Sequence, residues 1–269
     1  MKIAILGQEE PVYFSPFLRK IIQVRSNDMA LIVIAGKRSS GSHPKTLWDK
    51  LKDLYSHWRL LEPSGFLKHV RIRCHQKLIA LLGLIGTKWD QRSLEGIAKQ
   101  LQIELFYTQD INSAATLDRL KKCAPDVIIN QSELILKKEL LSIPKIGILN
   151  RHASLLPRFR GRLASFWGHA HSPPEYGTTI HFVDADIDSG PIVLQKKYDL
   201  DPAQSFEKIL DILFKESASL LLEALESLDK PALPNPHAGT SVYRFPTLSQ
   251  IQSYRKTLAA RRKAALTAR

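Results

Sequence analysis

Cysteine and long apolar runs are both scarce in this sequence of 269 residues. Only Cys74 and Cys123 are present, and their surroundings lack the spacing of zinc ligands. We therefore expect reduced thiols, no disulfide framework and no metal site. The longest later apolar run, Leu78 to Ile85, is far shorter than the roughly 20 residues that a membrane-spanning helix needs. Met1 to Gly7 has the pattern of a first strand rather than of a secretory signal, which predicts a cytoplasmic protein.

Acidic residues are scarce in two segments, and this unevenness explains the net charge of +13. Residues 37–92 contain 12 Lys/Arg and 4 Asp/Glu, and residues 244–269 contain 7 Lys/Arg and no acid. The rest of the chain is close to neutral. Such clusters favour a polyanionic or phosphate-bearing partner, or an anionic membrane surface. A solvated basic surface without a partner explains the same pattern.

Short apolar runs alternate with helix-like segments through most of the chain. This alternation predicts an α/β fold, an open and mostly parallel sheet with flanking helices. We expect a catalytic body over residues 1–230 and a short basic C-terminal extension over residues 231–269. The strand-like runs are Ile3–Leu6, Ala30–Ala35, Glu104–Tyr107, Val127–Ile129, Gly147–Leu149, Thr178–Val183 and Pro191–Tyr198.

Residues 37–92 interrupt this alternation after the second strand and form a basic insert. Their spacing predicts two helices, Lys45–Leu61 and Phe66–Leu84, joined at Glu62-Pro63-Ser64-Gly65. The second helix is basic and amphipathic, a composition that suits peripheral contact with a membrane or a partner. Packing of one face on the domain itself is the alternative that we favour.

The most informative segment is Asn150-Arg151-His152-Ala153-Ser154-Leu155-Leu156-Pro157, which follows an apolar run. Alternate residues of a strand point to the same side, so Asn150 and His152 are expected to face one cavity. A second strand-like run leads to Asp184-Ala185-Asp186-Ile187-Asp188-Ser189-Gly190-Pro191, where carboxylates end in a tight turn. An amide donor, an imidazole and a carboxylate are the groups needed to transfer an acyl group to an amine.

These two segments resemble the signature blocks of the folate-dependent formyltransferases. The first block is the Asn-x-His-x-Ser-Leu-Leu-Pro segment with Arg158-Phe159-Arg160-Gly161, and the second is Asp-Ser-Gly-Pro after Thr-Ile-His-Phe-Val. The family includes the methionyl-tRNA, glycinamide ribonucleotide and amino-sugar formyltransferases. The resemblance extends from about Pro125 to Leu210. It implies a Rossmann-like fold and formyl transfer from 10-formyltetrahydrofolate without a metal.

The resemblance also implies roles for individual residues. Asn150 and His152 would donate to the oxyanion of the reaction, and Asp188 would orient His152 and relay protons. Arg151 departs from the family pattern, in which this position is usually aliphatic. We expect Arg151 and Arg160 to contact a phosphate or carboxylate of the acceptor; an outward-facing Arg151 paired with an acid is the alternative. The folate would lie between walls formed by Leu134, Leu136, Val183, Asp184 and Ile187. We expect His181, on the neighbouring strand, to be structural.

The first loop departs from one branch of the family. Glycinamide ribonucleotide formyltransferases typically place Gly-Ser-Asn after the first strand, as a backbone cradle for a ribose phosphate. This chain has Gly7-Gln8-Glu9-Glu10-Pro11, in which two carboxylates would repel a phosphate and proline removes an amide donor.

Several functions therefore remain open. The leading hypothesis is an N-formyltransferase acting on a phosphate-bearing small amine, such as an amino-sugar nucleotide. A methionyl-tRNA formyltransferase-like enzyme is the alternative, followed by a glycinamide ribonucleotide formyltransferase. A formyltetrahydrofolate hydrolase would need the same three residues, and a folate-binding protein without turnover represents a different class. The sequence leaves the oligomeric state open.

Overall fold

A computed structural model of the protein describes residues 1–36, 47–132, 134–236 and 239–267. Its strands are β1 (Ile3–Gly7), β2 (Met29–Ala35), β3 (Glu104–Thr108), β4 (Val127–Gln131), β5 (Gly147–His152), β6 (Arg160–Gly161), β7 (Tyr176–Phe182), β8 (Ile192–Tyr198) and β9 (Val242–Tyr243). Its helices are α1 (Phe14–Val24), α2 (Leu47–Leu81), α3 (Leu94–Leu101), α4 (Ala114–Cys123), α5 (Lys138–Leu141), α6 (Ala164–Ala170), α7 (Phe206–Leu225) and α8 (Leu248–Thr267). A short 3₁₀ helix, Ser26–Asp28, precedes β2.

The central sheet has seven strands in the order β3-β2-β1-β4-β5-β7-β8. The strands from β3 to β5 are parallel, whereas β7 pairs antiparallel with both β5 and β8. This arrangement confirms the predicted open, mostly parallel α/β sheet with flanking helices. In a parallel sheet the carboxyl ends of the strands lie along one edge, so the ends of β1, β4 and β5 approach one another there.

Apolar residues cover both faces of the sheet. Side chains of β1 are completely buried, which is typical of a strand with helices on both sides. One hydrophobic cluster lies between the sheet and α1, α3 and α7, and a second lies on the other face with α4 and α5. Three helices begin at serine caps: Ser93, Ser113 and Ser205 each accept a bond from a backbone N–H in the first turn of α3, α4 and α7, respectively.

The insert forms two helical segments that meet at a kink, as its spacing predicted. The break in α2 falls at Glu62, whose φ of 63° and ψ of 164° lie outside the helical region. Pro63 then begins the second half, where a missing N–H disrupts no helical hydrogen bond. The predicted beginning of the insert, residues 37–46, lies outside the described residues.

The C-terminal extension packs on the body through α8. Its buried side chains Ile251, Tyr254 and Leu258 share a cluster with Leu60 and Leu61 of α2. Upstream of α8, β9 pairs in parallel with β6, a short strand beside the predicted catalytic segment. Among the described helices, none has both the length and the apolar character needed to cross a membrane.

Candidate active site

Asn150 and His152 lie at the carboxyl end of β5 and point to the same side of the sheet. The preceding residue on that side, Ile148, belongs to the hydrophobic cluster with α4, whereas Leu149 belongs to the cluster with α1 and α7. The period-two alternation of the strand therefore places the amide and the imidazole together, as the sequence predicted.

Asn150 is held between neighbouring strands. Its Oδ1 accepts a 2.9 Å bond from Nε2 of Gln131 at the end of β4, and its Nδ2 lies 3.1 Å from Nε2 of His181 on β7. The other ring nitrogen of His181, Nδ1, lies 2.8 Å from the carbonyl oxygen of Phe182 and must donate to it. His181 Nε2 is therefore an acceptor, and Asn150 donates one amide hydrogen to it. The second amide hydrogen has no partner among the described residues.

His181, which we expected to be structural, is a hydrogen-bond partner of Asn150. Its side chain is almost completely buried, and this burial together with the adjacent His152 lowers the pKa of His181 to about 4. The ring is therefore neutral at physiological pH and keeps its acceptor for Asn150. The alternation of apolar and polar residues along each strand did not predict this contact, because the pairing of Asn150 with His181 depends on the antiparallel register of β5 and β7.

Asp188 lies between the two imidazole rings. Its Oδ2 is 3.4 Å from Nδ1 of His152, and its Oδ1 is 3.7 Å from Nε2 of His181. A 2.7 Å bond from the backbone N–H of Gly161 also reaches Oδ2. The structure thus brings the three predicted catalytic residues together on one side of the sheet edge.

The His152 ring is engaged at both nitrogens. Nε2 lies 2.9 Å from the carbonyl oxygen of Phe159, to which it can only donate, and Nδ1 faces Asp188. In this arrangement His152 has no free N–H, so of the two predicted oxyanion donors only Asn150 keeps a hydrogen without a partner among the described residues.

Backbone contacts fix the Asp188 loop. Asp188 itself has a φ of 49°, and Nδ2 of Asn235 donates 3.0 Å bonds to the carbonyl oxygens of Asp188 and Gly190. A Cβ on Gly161 would lie 2.3 Å from the carbonyl oxygen of Tyr243 in β9, so only glycine allows this approach. The extension therefore supports the loop that carries the carboxylate, a contribution that no local sequence pattern revealed.

The two predicted acceptor-binding arginines have different positions relative to the site. Arg151 is buried on the opposite side of the sheet, with its guanidinium carbon 3.7 Å from the centre of the Phe214 ring and 5.6 Å from that of Phe17. Arg160 is buried as well; its Nε donates a 2.8 Å bond to the carbonyl oxygen of Ile187. The structure does not bring Arg151 to the side occupied by Asn150, and it places Arg160 under the Asp188 loop.

The predicted folate-binding residues form part of one apolar wall. Leu134, Leu136 and Val183 all pack on the hydrophobic cluster that includes Ile148. Leu136 is buried within that cluster, whereas Ile187 is half exposed. Asp184 accepts bonds from Ser189 Oγ and, at 3.3 Å, from the backbone N–H of Asp186, which orders the loop before Asp188.

In the loop after β1, the carboxylates of Glu9 and Glu10 accept hydrogen bonds from backbone N–H groups at the beginnings of two helices. Oε1 of Glu9 accepts 2.9 and 3.0 Å bonds from the backbone N–H groups of Leu94 and Glu95, at the N-terminus of α3. Oε2 of Glu10 accepts from the N–H groups of Tyr13 and Phe14, at the beginning of α1. Burial raises the pKa of Glu9, although these N–H donors oppose that rise. Carboxylates thus occupy two helix N-termini that would otherwise attract an anion.

Comparison with known proteins gives the same family on independent grounds. The family model described as formyl transferase matches residues 86–225. Methionyl-tRNA formyltransferase of Thermotoga maritima is 33% identical over 144 residues, which are 53% of this chain and 46% of that protein. The enzyme of the same name from Syntrophus aciditrophicus is 36% identical over 141 residues, 52% of this chain and 45% of that protein. The chain spans about half the length of these curated relatives.

Solved structures share the fold at low sequence identity. Phosphoribosylglycinamide formyltransferase from Bacillus halodurans superposes with a TM-score of 0.54 at 16% identity, covering 86% of this chain and 96% of that chain. WlaRD, a sugar 3N-formyl transferase solved in the presence of dTdp and 5-N-formyl-THF, has a TM-score of 0.54 at 16% identity and covers 94% and 77%. The sheet, the two sequence blocks and the match over residues 86–225 lead to one conclusion: the chain belongs to the formyl transferase family.

Proposed function

We propose that this protein is an N-formyltransferase that moves a formyl group from 10-formyltetrahydrofolate to a primary amine on a phosphate-bearing small molecule, such as an amino-sugar nucleotide. One observation carries the proposal. Asn150, with a free amide hydrogen, and Asp188, between two imidazoles, meet on one side of the sheet edge.

Asn150 would stabilise the charge that develops during transfer. When the amine attacks the formyl carbon, the carbonyl oxygen becomes negatively charged, and a fixed donor lowers the energy of that state. Gln131 and His181 hold the amide plane from both ends, so the free hydrogen needs no reorientation. Removal of one such donor costs about 10²–10³-fold in kcat in comparable acyl-transfer sites.

Asp188 and His152 would move the protons. The attacking amine must lose a proton and the leaving nitrogen must gain one. Asp188 Oδ1 has no hydrogen bond to a described residue, whereas Oδ2 is bound by Gly161. We therefore assign the first acceptor role to Oδ1, directly or through one water, whereas Oδ2 faces Nδ1 of His152 at 3.4 Å.

The donor 10-formyltetrahydrofolate would supply the formyl group as a co-substrate. Leu134, Leu136 and Val183 lie on one apolar wall and could pack against its pterin ring. The polar loop around Asp184 and the half-exposed Ile187 would form the other side. This combination of an apolar wall and a few fixed polar groups fits a small aromatic ligand.

The first loop argues against glycinamide ribonucleotide as the acceptor. A ribose phosphate placed there would compete with Glu9 and Glu10 for the N–H groups at α1 and α3. It would also lie beside two carboxylates, which repel it. A phosphate further from the reacting amine, as in a nucleotide-linked sugar, avoids this loop.

A tRNA-directed activity is the second candidate. Two observations favour it: the similarity to methionyl-tRNA formyltransferases and the composition of α8, which contains five basic residues and no acid. Phosphate-backbone binding of that kind weakens steeply with salt. Binding of charged tRNA that does not weaken steeply with salt would therefore oppose this candidate.

Release of tetrahydrofolate from 10-formyltetrahydrofolate, followed by absorbance with a panel of acceptors, tests the proposal. The panel holds amino-sugar nucleotides, glycinamide ribonucleotide and charged initiator tRNA. Release that requires an amino-sugar nucleotide supports the proposal. Release without any acceptor identifies a hydrolase, and folate binding without any release identifies a binding protein.

A further inference from the structure

The second half of α2, from Pro63 to Leu81, is apolar on two opposite sides. Ile72 and Ile79 are buried against the body on one side. The opposite side carries an apolar stripe at spacings of three and four residues, which place its members on one helix face. We call this the α2 stripe; its members are Leu67, Val70, Cys74, Leu78 and Leu81.

The α2 stripe is open to solvent in the described structure. Leu67 is 67% exposed, Leu78 is 50% exposed and Leu81 is 83% exposed, and Cys74 is exposed between them. Leucines on a helix that already has a buried face are normally distributed singly, whereas a continuous stripe marks an interaction surface.

Basic residues border the α2 stripe on both sides. Arg71 lies along one flank and Lys77 along the other, both are exposed, and neither forms an ion pair with a described residue. No acidic residue occurs between Pro63 and Leu81. The other cations of this half are used internally: Lys68 binds Glu207 and Asp211 of α7, and Arg73 binds Glu10.

Aromatic and apolar residues continue beyond the helix. Leu82 is 59% exposed and Trp89 is 60% exposed, and the ammonium of Lys88 lies 5.5 Å from the centre of the Trp89 ring. Exposed tryptophan next to basic residues is typical of protein surfaces at the boundary between lipid headgroups and acyl chains.

We infer that the α2 stripe docks on an anionic phospholipid surface, with the helix lying in the plane of the membrane and not crossing it. The stripe would enter the acyl boundary while Arg71 and Lys77 contact headgroup phosphates. A second copy of the chain fits less well, because two stripes packed together would bring like charges together with no acid to offset them. A nucleic acid would leave the leucines uncovered.

Binding of the full chain to vesicles tests this inference. The vesicles are pure phosphatidylcholine or contain about one-third phosphatidylserine, which gives a negative surface potential. The inference predicts co-sedimentation with the anionic vesicles only, weakened by salt. The double variant Leu67→Ser/Leu78→Ser should bind at least about tenfold more weakly, because it removes two exposed leucines that docking would bury in the membrane. Arg71→Ala/Lys77→Ala should bind the anionic vesicles about 25-fold more weakly, at roughly fivefold for each cation.

Matched controls separate the stripe from general surface properties. Val24→Ser removes an apolar side chain that is 59% exposed on α1, and Lys121→Ala/Lys122→Ala removes two cations at the end of α4. Neither control should change vesicle binding, and thermal melting of every variant establishes folding. The Cys123→Ser variant leaves Cys74 as the single thiol for an environment-sensitive fluorophore, whose emission should shift to the blue on anionic vesicles.

Two results would overturn the inference. The first is an absence of binding to anionic vesicles by the unsubstituted chain. The second is a concentration-dependent dimer in light scattering that Leu67→Ser/Leu78→Ser abolishes while vesicles bind neither form, which would assign the stripe to a second copy. The binding readout does not depend on formyl transfer, so the two proposals fail separately.

Discussion

Asn150 on β5 and His181 on β7 face each other across an antiparallel register, and the amide of Asn150 donates to the imidazole at 3.1 Å. Nε2 of His181 can only accept in this contact, because the proton of the neutral ring is on Nδ1, which donates to the carbonyl oxygen of Phe182. A neutral His181 therefore orients the amide that we place at the oxyanion. This makes His181 a positioning residue.

His181→Ala should lower kcat by about 10- to 100-fold, a part of the 10²–10³-fold effect of losing the donor itself. The KM for the folate should change much less, because His181 contacts Asn150 and is not part of the proposed folate wall. Gln131→Leu removes the other support of the amide and should act in the same direction. Steady-state kinetics with thermal melting of each variant provides the measurement. A His181→Ala enzyme with unchanged kcat would exclude the positioning role.

Arg151→Met should stabilise the protein and leave kcat/KM unchanged. Nε and Nη2 of Arg151 are buried without a hydrogen-bond partner, and the side chain stacks on Phe214. Burial lowers the pKa of Arg151 to about 9, so the guanidinium is still charged at neutral pH. Replacing buried charge with an apolar side chain raises the free energy of unfolding by about 1–4 kcal/mol in comparable cases. Urea unfolding of both proteins measures the change.

Arg19→Met is the matched control for this prediction. Arg19 is also buried, but its guanidinium donates a 2.9 Å bond to the carbonyl oxygen of Ser93, so its loss should destabilise the protein. A tenfold loss of kcat/KM in Arg151→Met with unchanged stability would instead indicate that Arg151 contacts the acceptor.

Acid should destabilise the protein through His169. This side chain is completely buried, and burial, followed by the nearby charge of Arg261, lowers the pKa of His169 to about 4. The unfolded chain therefore binds the proton more tightly than the folded protein. The stability contribution is complete above about pH 6.5 and is lost as the pH falls towards about 4, by up to roughly 3 kcal/mol. Between about pH 7 and about pH 5, the melting temperature of the unsubstituted protein should fall by more than that of His169→Gln. Parallel decreases would contradict this assignment.

Glu62 joins the insert to the C-terminal extension. Its carboxylate binds Arg255 at 2.6 Å and accepts two bonds from Arg262, at 2.7 and 2.9 Å, and Arg262 in particular lowers the pKa of Glu62. Glu62→Ala should reduce the free energy of unfolding by about 3 kcal/mol, because two guanidinium groups lose a partly buried partner. Limited proteolysis should then cleave before α8 more rapidly.

Glu62→Gly distinguishes the contribution of the Glu62 carboxylate to stability from that of its backbone conformation. Glycine adopts the observed φ of 63° and ψ of 164° without strain, so this variant should be more stable than Glu62→Ala by about 1–2 kcal/mol, although both lack the carboxylate. Equal stabilities would show that the backbone conformation contributes nothing.

Sequence periodicity predicted the sheet and the shared orientation of Asn150 and His152, because both depend on the local alternation of a strand. The same alternation places Arg151 on the opposite side, which the expectation of acceptor binding overlooked. The contacts of His181 and Asn235 could not be predicted from the sequence. That of His181 depends on the antiparallel pairing of β5 and β7, and that of Asn235 comes from a chain segment 47 residues beyond Asp188. The closure of the first loop by Glu9 depends on α3, which follows a long insert, and no sequence pattern joins the two.

The most direct test of the account compares kcat/KM for formyl transfer in Asp188→Asn and Asp186→Asn. Both variants replace one carboxylate of the same loop by an amide of equal size. Asp188 lies between His152 and His181, whereas Asp186 is exposed. We predict a loss of at least about 100-fold for Asp188→Asn, since proton transfer typically contributes 10²–10⁴-fold, and less than about twofold for Asp186→Asn. Equal activity of the two variants would contradict the assignment of Asp188 to catalysis.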